Sequence, residues 1–241
     1  MKKAVLLEIE KNIAVIILNR PERYNAVNQD LVDGINESLS VVESDNNIRA
    51  VVLTGNGKGF CAGADMSVFG DEVSAEQRSE YIINEYQPLM KRFFSLKKPI
   101  IGAINGSAAG VGAAFALACD LRVMSKESAI LYAFVNIGLG PDGGASWLLA
   151  RQVGYSKALE IAISGKKVLG EECLSLGLTN RIVEKEDILV YAKKWAHELS
   201  IRPTLAIGIA KADIAYLLDN NLNDTIAFEA DQQISAFKSH D

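Results

Sequence analysis

The chain has 241 residues, enough to bury one substantial core, and 49% of them are hydrophobic. Its net charge of −5 leaves no basic footprint for nucleic acid, and no apolar run reaches the roughly 18 residues of a membrane span. Three widely spaced cysteines, Cys61, Cys119 and Cys173, fit neither a disulfide framework nor a zinc site.

The opening stretch MKKAVLLEIEKN has an apolar run too short for a signal segment, and Glu8 and Glu10 follow it at once; a cytoplasmic location is the expectation. Residues 5–9 and 13–18 read as two short strands around Lys11-Asn12, a hairpin. Leu31, Ile35, Leu39 and Val42 recur at helical spacing, with Asn28 as the N-cap and Asp30 and Asp33 suited to the first turn. Residues 50–54 form a buried strand that runs into the loop GNGKGFCAGAD. Ser74 and Gln77 make a capping-box pattern that opens a helix toward Ser95.

Residues 99–104 are another buried strand, followed by the Gly/Ala-rich turn and apolar helix of 105–120. Between Asn105 and Cys119 no side chain can exchange a proton at neutral pH, so chemistry there falls to backbone N–H groups. A Gly-rich turn opening a helix leaves such groups unpaired and favours negative charge. Strands are expected at 121–124 and 129–132, helices at 145–153 and 157–163, and a minor strand at 182–183. Ile188, Ala192, Trp195 and Leu199 then share one helical face, as do Leu205, Ile209, Ala212 and Tyr216, and 223–237 is a last helix. Strands alternating with helices predict an α/β fold with a largely parallel sheet, a core over 1–185 and a C-terminal helical region over 186–241. His197 falls on a surface helix and His240 is penultimate, so a Ser-His-Asp site and a His-rich metal site are not expected.

Two familiar Gly-rich motifs fail on spacing. GVGAA at 110–114 lies six residues after its strand and has no acid at the end of the next one, which argues against dinucleotide binding. GNGKG at 55–59 lacks the spacing of a P-loop. The CAGAD turn at 61–65, by contrast, sits at the C-terminal end of a strand, where ligands bind in open α/β sheets. Asp142 stands between Pro141 and a glycine pair just before a helix. It reads either as a helix N-cap or as a carboxylate acid/base whose pKa is raised in a pocket lined by Ile137, Leu139 and Trp147.

Four stretches, in this order and spacing, are LNRPERYNAVN, VVLTGNGKGFCAGADM, KKPIIGAINGSAAGVGAAFALACDLRVMS and AFVNIGLGPDGGASWLLARQVG. They run over nearly the whole chain, and it resembles the enoyl-CoA hydratase/isomerase (crotonase) superfamily. The resemblance implies a crotonase-like ββα spiral with a C-terminal helical trimerisation region, assembled as a homotrimer or a hexamer. It also implies an acyl-CoA thioester as substrate, with coenzyme A arriving as part of that substrate and no separate cofactor or metal.

Under the resemblance, Ala64 and Val111 match the two backbone donors that hold an enolate. Glycine is common at the position of Val111, where a β-branched side chain would narrow the pocket. Asn25, Ala26, Ala62 and Met66 match positions that wrap coenzyme A, Asp65 matches the usual aspartate of its turn, and Gly110 and Phe134 count with the substrate-binding set. The two hydratase glutamates are matched by Ala114 and Phe134, neither of which can activate water. The acid lies instead at Asp142, a pattern similar to Δ3,Δ2-enoyl-CoA isomerases and to the ring-opening isomerase of phenylacetate catabolism. Isomerisation is therefore expected over hydration, with a non-catalytic acyl-CoA binder as the alternative. Asp71 and Glu72 are the fallback bases, and the segment 71–95 is expected to cover the acyl pocket. Relatives continue beyond this point with a short helix whose basic residues reach a CoA phosphate; the sequence given stops at Ser239-His240-Asp241.

Overall fold

A computed structural model of the chain describes residues 2–67 and 73–239. The fallback bases Asp71 and Glu72, and His240, lie outside the described residues. The first strands, β1 (Val5–Glu10) and β2 (Ile13–Leu18), pair antiparallel as the expected hairpin. From β2 onward the large sheet is parallel, in the order β1-β2-β3-β4-β6-β9, with β3 at Ala50–Gly55, β4 at Ile100–Ile104, β6 at Leu121–Met124 and β9 at Arg181–Ile182.

The strands are apolar on both faces because both are covered. On β2, Ala14, Ile16 and Leu18 enter one hydrophobic cluster while Ile13 and Val15 enter another. This is the period-2 alternation of a pleated strand. The first cluster takes in helix α1 (Gln29–Ser44), whose N-cap Asn28 accepts from the Leu31 N–H at 3.1 Å. The second is closed by Ile188, Ala192 and Ala196 of a helix at Ile188–Ser200. That helix, the first of the expected C-terminal helical region, thus packs into the core.

A second sheet holds β5 (Ser107–Ala109), β7 (Ala129–Leu131) and β8 (Lys167–Leu169). Each pass of the chain gives a strand to the large sheet, one to the small sheet, and then a helix. β4 and β5 lead to α4 (Val111–Ala118), and β6 and β7 lead to α5 (Ala145–Val153) and α6 (Tyr155–Ser164). β3 does the same through Cys61, which bridges in parallel to Ala108, and leads into the helical segment 75–95. This is a spiral of ββα units.

The segment 75–95 departs from the single helix expected. It runs as α2 (Ala75–Tyr81), a π-helical stretch (Ile82–Tyr86) and α3 (Gln87–Ser95). The capping box of Ser74 and Gln77 is present. A short helix α7 (Gly170–Ser175) precedes β9, and the helix at Ile188–Ser200 is α8. The chain ends in α9 (Thr204–Leu217) and α10 (Leu222–Phe237), packed together with Tyr216 and Phe228 stacked at 4.1 Å. Lys211 ties α9 to the core through Asp120 Oδ2 at 2.9 Å and the Phe93 carbonyl at 2.9 Å. Among the described residues no helix is long and apolar enough to cross a membrane, and no cluster of three or more potential metal ligands occurs.

Candidate active site

Two turns come together at the edge of the small sheet. The CAGAD turn follows β3, and its Cys61 N–H donates to the Ser107 carbonyl while the Ala109 N–H donates back to Cys61 at 2.8 Å. Gly63 then passes so close to β5 that a Cβ there would lie 2.8 Å from the Ala109 carbonyl oxygen and 3.6 Å from Gly110 Cα. Both glycines have positive φ, +94° at Gly63 and +54° at Gly110, the conformation that favours glycine.

The residues that follow these glycines are Ala64 and Val111. Neither the Ala64 N–H nor the Val111 N–H has an acceptor among the described residues. Val111 opens α4, so its N–H is one of the unpaired donors at the positive end of a helix. The sheet thus brings two free backbone donors together, each one residue past a glycine in the Gly63–Gly110 contact.

The third element is the loop before α5. Gly143 (φ +57°) and Gly144 (φ +81°) are both left-handed, and Gly144 is the N-cap with no side-chain capping bond. The helix N-cap lies two residues past Asp142, whose carboxylate accepts no hydrogen bond from a helix N–H, so Asp142 is not a side-chain cap. Its backbone carbonyl accepts from the Ala145 N–H at 2.9 Å, while its Oδ1 is buried with no hydrogen-bond partner among the described residues. Burial alone pushes the carboxyl up from its ordinary value to about 6. The loop sits against the donors: a Cβ on Gly143 would fall 2.8 Å from Val111 Cγ2. The Val111 isopropyl group thus packs under this loop.

Gly143 and Gly144 also line an apolar cleft of about 870 Å³, walled by Ile82, Ile83, Met90, Phe94 and Trp147. Trp147 lies edge-on to Phe94 at 5.3 Å and carries the Arg151 guanidinium 4.1 Å from its ring centre. Of the predicted pocket lining near Asp142, Trp147 faces this cleft; Ile137 and Leu139 are exposed and are not among its walls.

The expected coenzyme-binding residues divide in two. Ala62 and Met66 are exposed beside the Ala64 turn. Asn25 is instead fully buried, and its side chain is spent on backbone. It accepts from the Arg20 N–H and donates to the carbonyls of Asn56, Gly59 and Phe60. Asn25 is therefore corrected from a ligand contact to a brace for the 55–60 loop. Ala26 is nearly buried, its carbonyl taken by Arg20.

Asp65 is likewise a brace. Hydrogen bonds from the Ser67 hydroxyl at 2.6 Å, and then Arg20 at 2.8 Å, hold its carboxyl below the usual range. Gly110 donates to the Leu131 carbonyl at 3.0 Å, and the Phe134 ring comes within 3.9 Å of the point a Gly110 Cβ would occupy. Ala114 is fully buried. The three cysteines are free and buried, and burial pushes each thiol up to about 12.

Two residues of this region escaped the sequence reading. Arg20 orders the Asp65 turn, but an arginine beside a proline carries no signal of its buried partner. Tyr86 is buried against Gly143, with its hydroxyl unpartnered. In the sequence it sits among Ile82, Leu89, Met90 and Phe93 like any core aromatic.

Comparison with known proteins gives the family and the fold. The family model described as enoyl-CoA hydratase/isomerase matches residues 8–241. A 1,2-epoxyphenylacetyl-CoA isomerase of Escherichia coli is 35% identical, over 100% of this chain and 93% of that protein. A short-chain-enoyl-CoA hydratase of Clostridium acetobutylicum is 31% identical, over 98% of this chain and 90% of that one. The crystal structure of an enoyl-CoA hydratase from Polaromonas sp. JS666 superposes with a TM-score of 0.91 at 30% identity, covering 96% of this chain and 90% of that one. The spiral is thus the crotonase-like fold, and the chain belongs to the enoyl-CoA hydratase/isomerase family.

Proposed function

We propose that the protein shifts a double bond of an enoyl-CoA, with Asp142 as its single acid/base and the Ala64 and Val111 N–H groups as its oxyanion hole. The Asp142 carboxylate removes a C2 proton from a 3-enoyl-CoA. The electron pair moves onto the thioester oxygen, giving a dienolate hydrogen-bonded to the two backbone donors. The carboxylic acid so formed returns the proton at C4, and the double bond comes to rest between C2 and C3. Fixed donors aimed at a developing oxyanion need no reorganisation, and losing one costs about 3–4 kcal/mol.

The observation that carries this reading is the half-buried Asp142 carboxyl, whose Oδ1 is buried without a hydrogen-bond partner and which is not engaged as a helix cap. A value near 6 makes it a base that exists as carboxylate at neutral pH yet accepts a proton readily. Hydration asks for proton management at both water and C2, and the residues at the hydratase positions, Ala114 and Phe134, supply none. Relatives are named for both activities, so the comparison of substrates is the test. Purified protein is expected to convert a 3-enoyl-CoA and to hydrate crotonyl-CoA poorly; efficient hydration without isomerisation would remove the assignment. Asp142→Asn is expected to lose turnover by roughly 10²–10⁴-fold while still binding acyl-CoA. The same variant should lose solvent deuterium exchange at C2 of a saturated acyl-CoA, an exchange that a mere binder never shows.

A second reading rests on the relative named 1,2-epoxyphenylacetyl-CoA isomerase, similar over the full length of this chain. The same base and oxyanion hole would then serve isomerisation of an epoxide or ring of an aromatic acyl-CoA.

A further inference from the structure

A second apolar cleft, of about 450 Å³, lies between the core and α9. Leu117 and Leu121 line it from the core, and Ile207, Ala210 and Leu218 line it from α9 and its end. It shares Phe94, Trp147, Leu148 and Ala215 with the 870 Å³ cleft beside the Asp142 loop. These four residues are therefore the wall between the two. Leu148 is buried, and Phe94 and Ala215 are half-buried. Trp147 is the largest of the four and, at 41%, the most exposed, so its indole is the part of the wall that stands clear of the core.

That indole is held from two sides. Phe94 meets it edge-on at 5.3 Å, and the Arg151 guanidinium lies 4.1 Å from its ring centre. Both contacts favour one ring orientation. Arg151 in turn donates to the Leu218 carbonyl at 2.8 Å and pairs with the Asp219 carboxylate. Arg151 lines the second cleft and Asp219 the first, so this ion pair spans the same boundary. The wall is thus fixed to α3 on one side and to the end of α9 on the other.

Chain position sets where the wall stands. Trp147 is the third residue of α5, and the Asp142 loop leads straight into that helix. Gly143 and Gly144 line the first cleft on the way. Asp142 and the indole therefore ride on one short stretch of chain, and helix geometry fixes the space between them. In the reading above, on which this inference rests, the acyl group runs from Asp142 into the first cleft. A fixed wall at a set distance from the reacting carbons stops an acyl chain at a set length.

We propose that Trp147 is a specificity-determining residue: its indole ends the acyl cleft, and the cleft behind it is space that longer chains enter only when the indole is removed.

The test is a series of saturated acyl-CoAs with even chains from butanoyl to dodecanoyl, their dissociation constants measured by isothermal titration. Each methylene taken from water into an apolar cleft tightens binding about fourfold. In the wild-type protein this gain is expected to hold for the shorter chains and to stop at one length, where the chain end meets the indole. In Trp147→Leu the gain is expected to continue by at least one two-carbon step. That chain then binds about fifteenfold more tightly than to wild type, while butanoyl-CoA binds as before. Ala210→Trp, which fills the second cleft alone, is expected to leave the wild-type profile as it is. Added to Trp147→Leu, it is expected to bring the wild-type limit back. Trp147→Phe keeps an aromatic ring against Phe94 and is expected to move the limit in the same direction, which covers the case of a leucine variant that fails to fold. A wild-type series without a break, a break that neither Trp147 variant moves, or a moved break that Ala210→Trp does not restore overturns the proposal. Failure of the Asp142 assignment reads out separately, as C2 exchange that survives Asp142→Asn, and leaves the chain-length profile untouched.

Discussion

At the scale of single residues, Asp142 carries most of the proposed chemistry and has a pH signature. Burial without a counter-charge raises its carboxyl from 3.8 to about 6. As the base it must be ionised, so kcat/KM is expected to hold above pH 6 and fall as pH drops through that value, with the acid limb absent from Asp142→Asn residual activity. Stability runs the other way. Between pH 4 and 6 the native state holds a proton that the unfolded chain has already released, so stability declines as pH rises through this window. Replacing the carboxyl by an amide removes that loss. Asp142→Asn is therefore expected to be more stable than wild type at pH 8, by on the order of 1–3 kcal/mol, with the difference vanishing below pH 4. Denaturant melts at pH 4 and pH 8 give the comparison; an Asn variant no more stable at pH 8 would mean that the carboxylate has a partner in solution.

At the scale of elements, the proposed oxyanion hole is an interlock between the turn after β3 and the β5–α4 turn. Gly63→Ala would place a Cβ 2.8 Å from the Ala109 carbonyl oxygen at a φ of +94°. The turns must then part, and the Ala64 N–H moves with them. Activity is expected to fall by roughly 10²-fold or more, with a stability loss of about 1–3 kcal/mol; near-normal kcat would show that Ala64 is not a donor. The sequence carried this interlock only partly. α1 is legible in Leu31, Ile35, Leu39 and the Asn28 cap, and β2, β3 and β4 as apolar runs, because both signals are local. β5 and β8 are three residues each, too short to show alternation, and exist because partners bring them into register. The π-helical stretch leaves the apolar spacing of 75–95 nearly unchanged, so neither it nor Tyr86 could be read. Asp142 stayed ambiguous because Pro-Asp-Gly-Gly permits a helix start at several positions; two left-handed glycines choose Ala145. Asn25 and Asp65 share segments with the expected coenzyme-contact positions, and only their hydrogen bonds reveal them as braces.

At the scale of the molecule, α8 closes the core, whereas α9 and α10 reach past it and leave apolar side chains exposed. Leu222 is 73% exposed and Phe237 85%, with Ile214, Ile226 and Ile234 also more than half exposed. Contiguous apolar surface on a helical pair marks an interaction face, and closed symmetric assembly of identical chains is the usual way to cover one. The chain is therefore expected to self-associate, and the family resemblance implies three or six copies. Burying such side chains is worth about 25 cal/mol per Å², so placing charges there has a large effect. The double variant Leu222→Asp, Phe237→Asp is expected to shift the sedimenting species to monomer at micromolar concentration. Activity should fall with it, because α9 also borders the apolar cleft through Ala215, and loosening the helical pair opens that wall to water. A wild-type protein that sediments as a monomer would refute the assembly, and a variant monomer with full turnover would show that each chain holds a complete site.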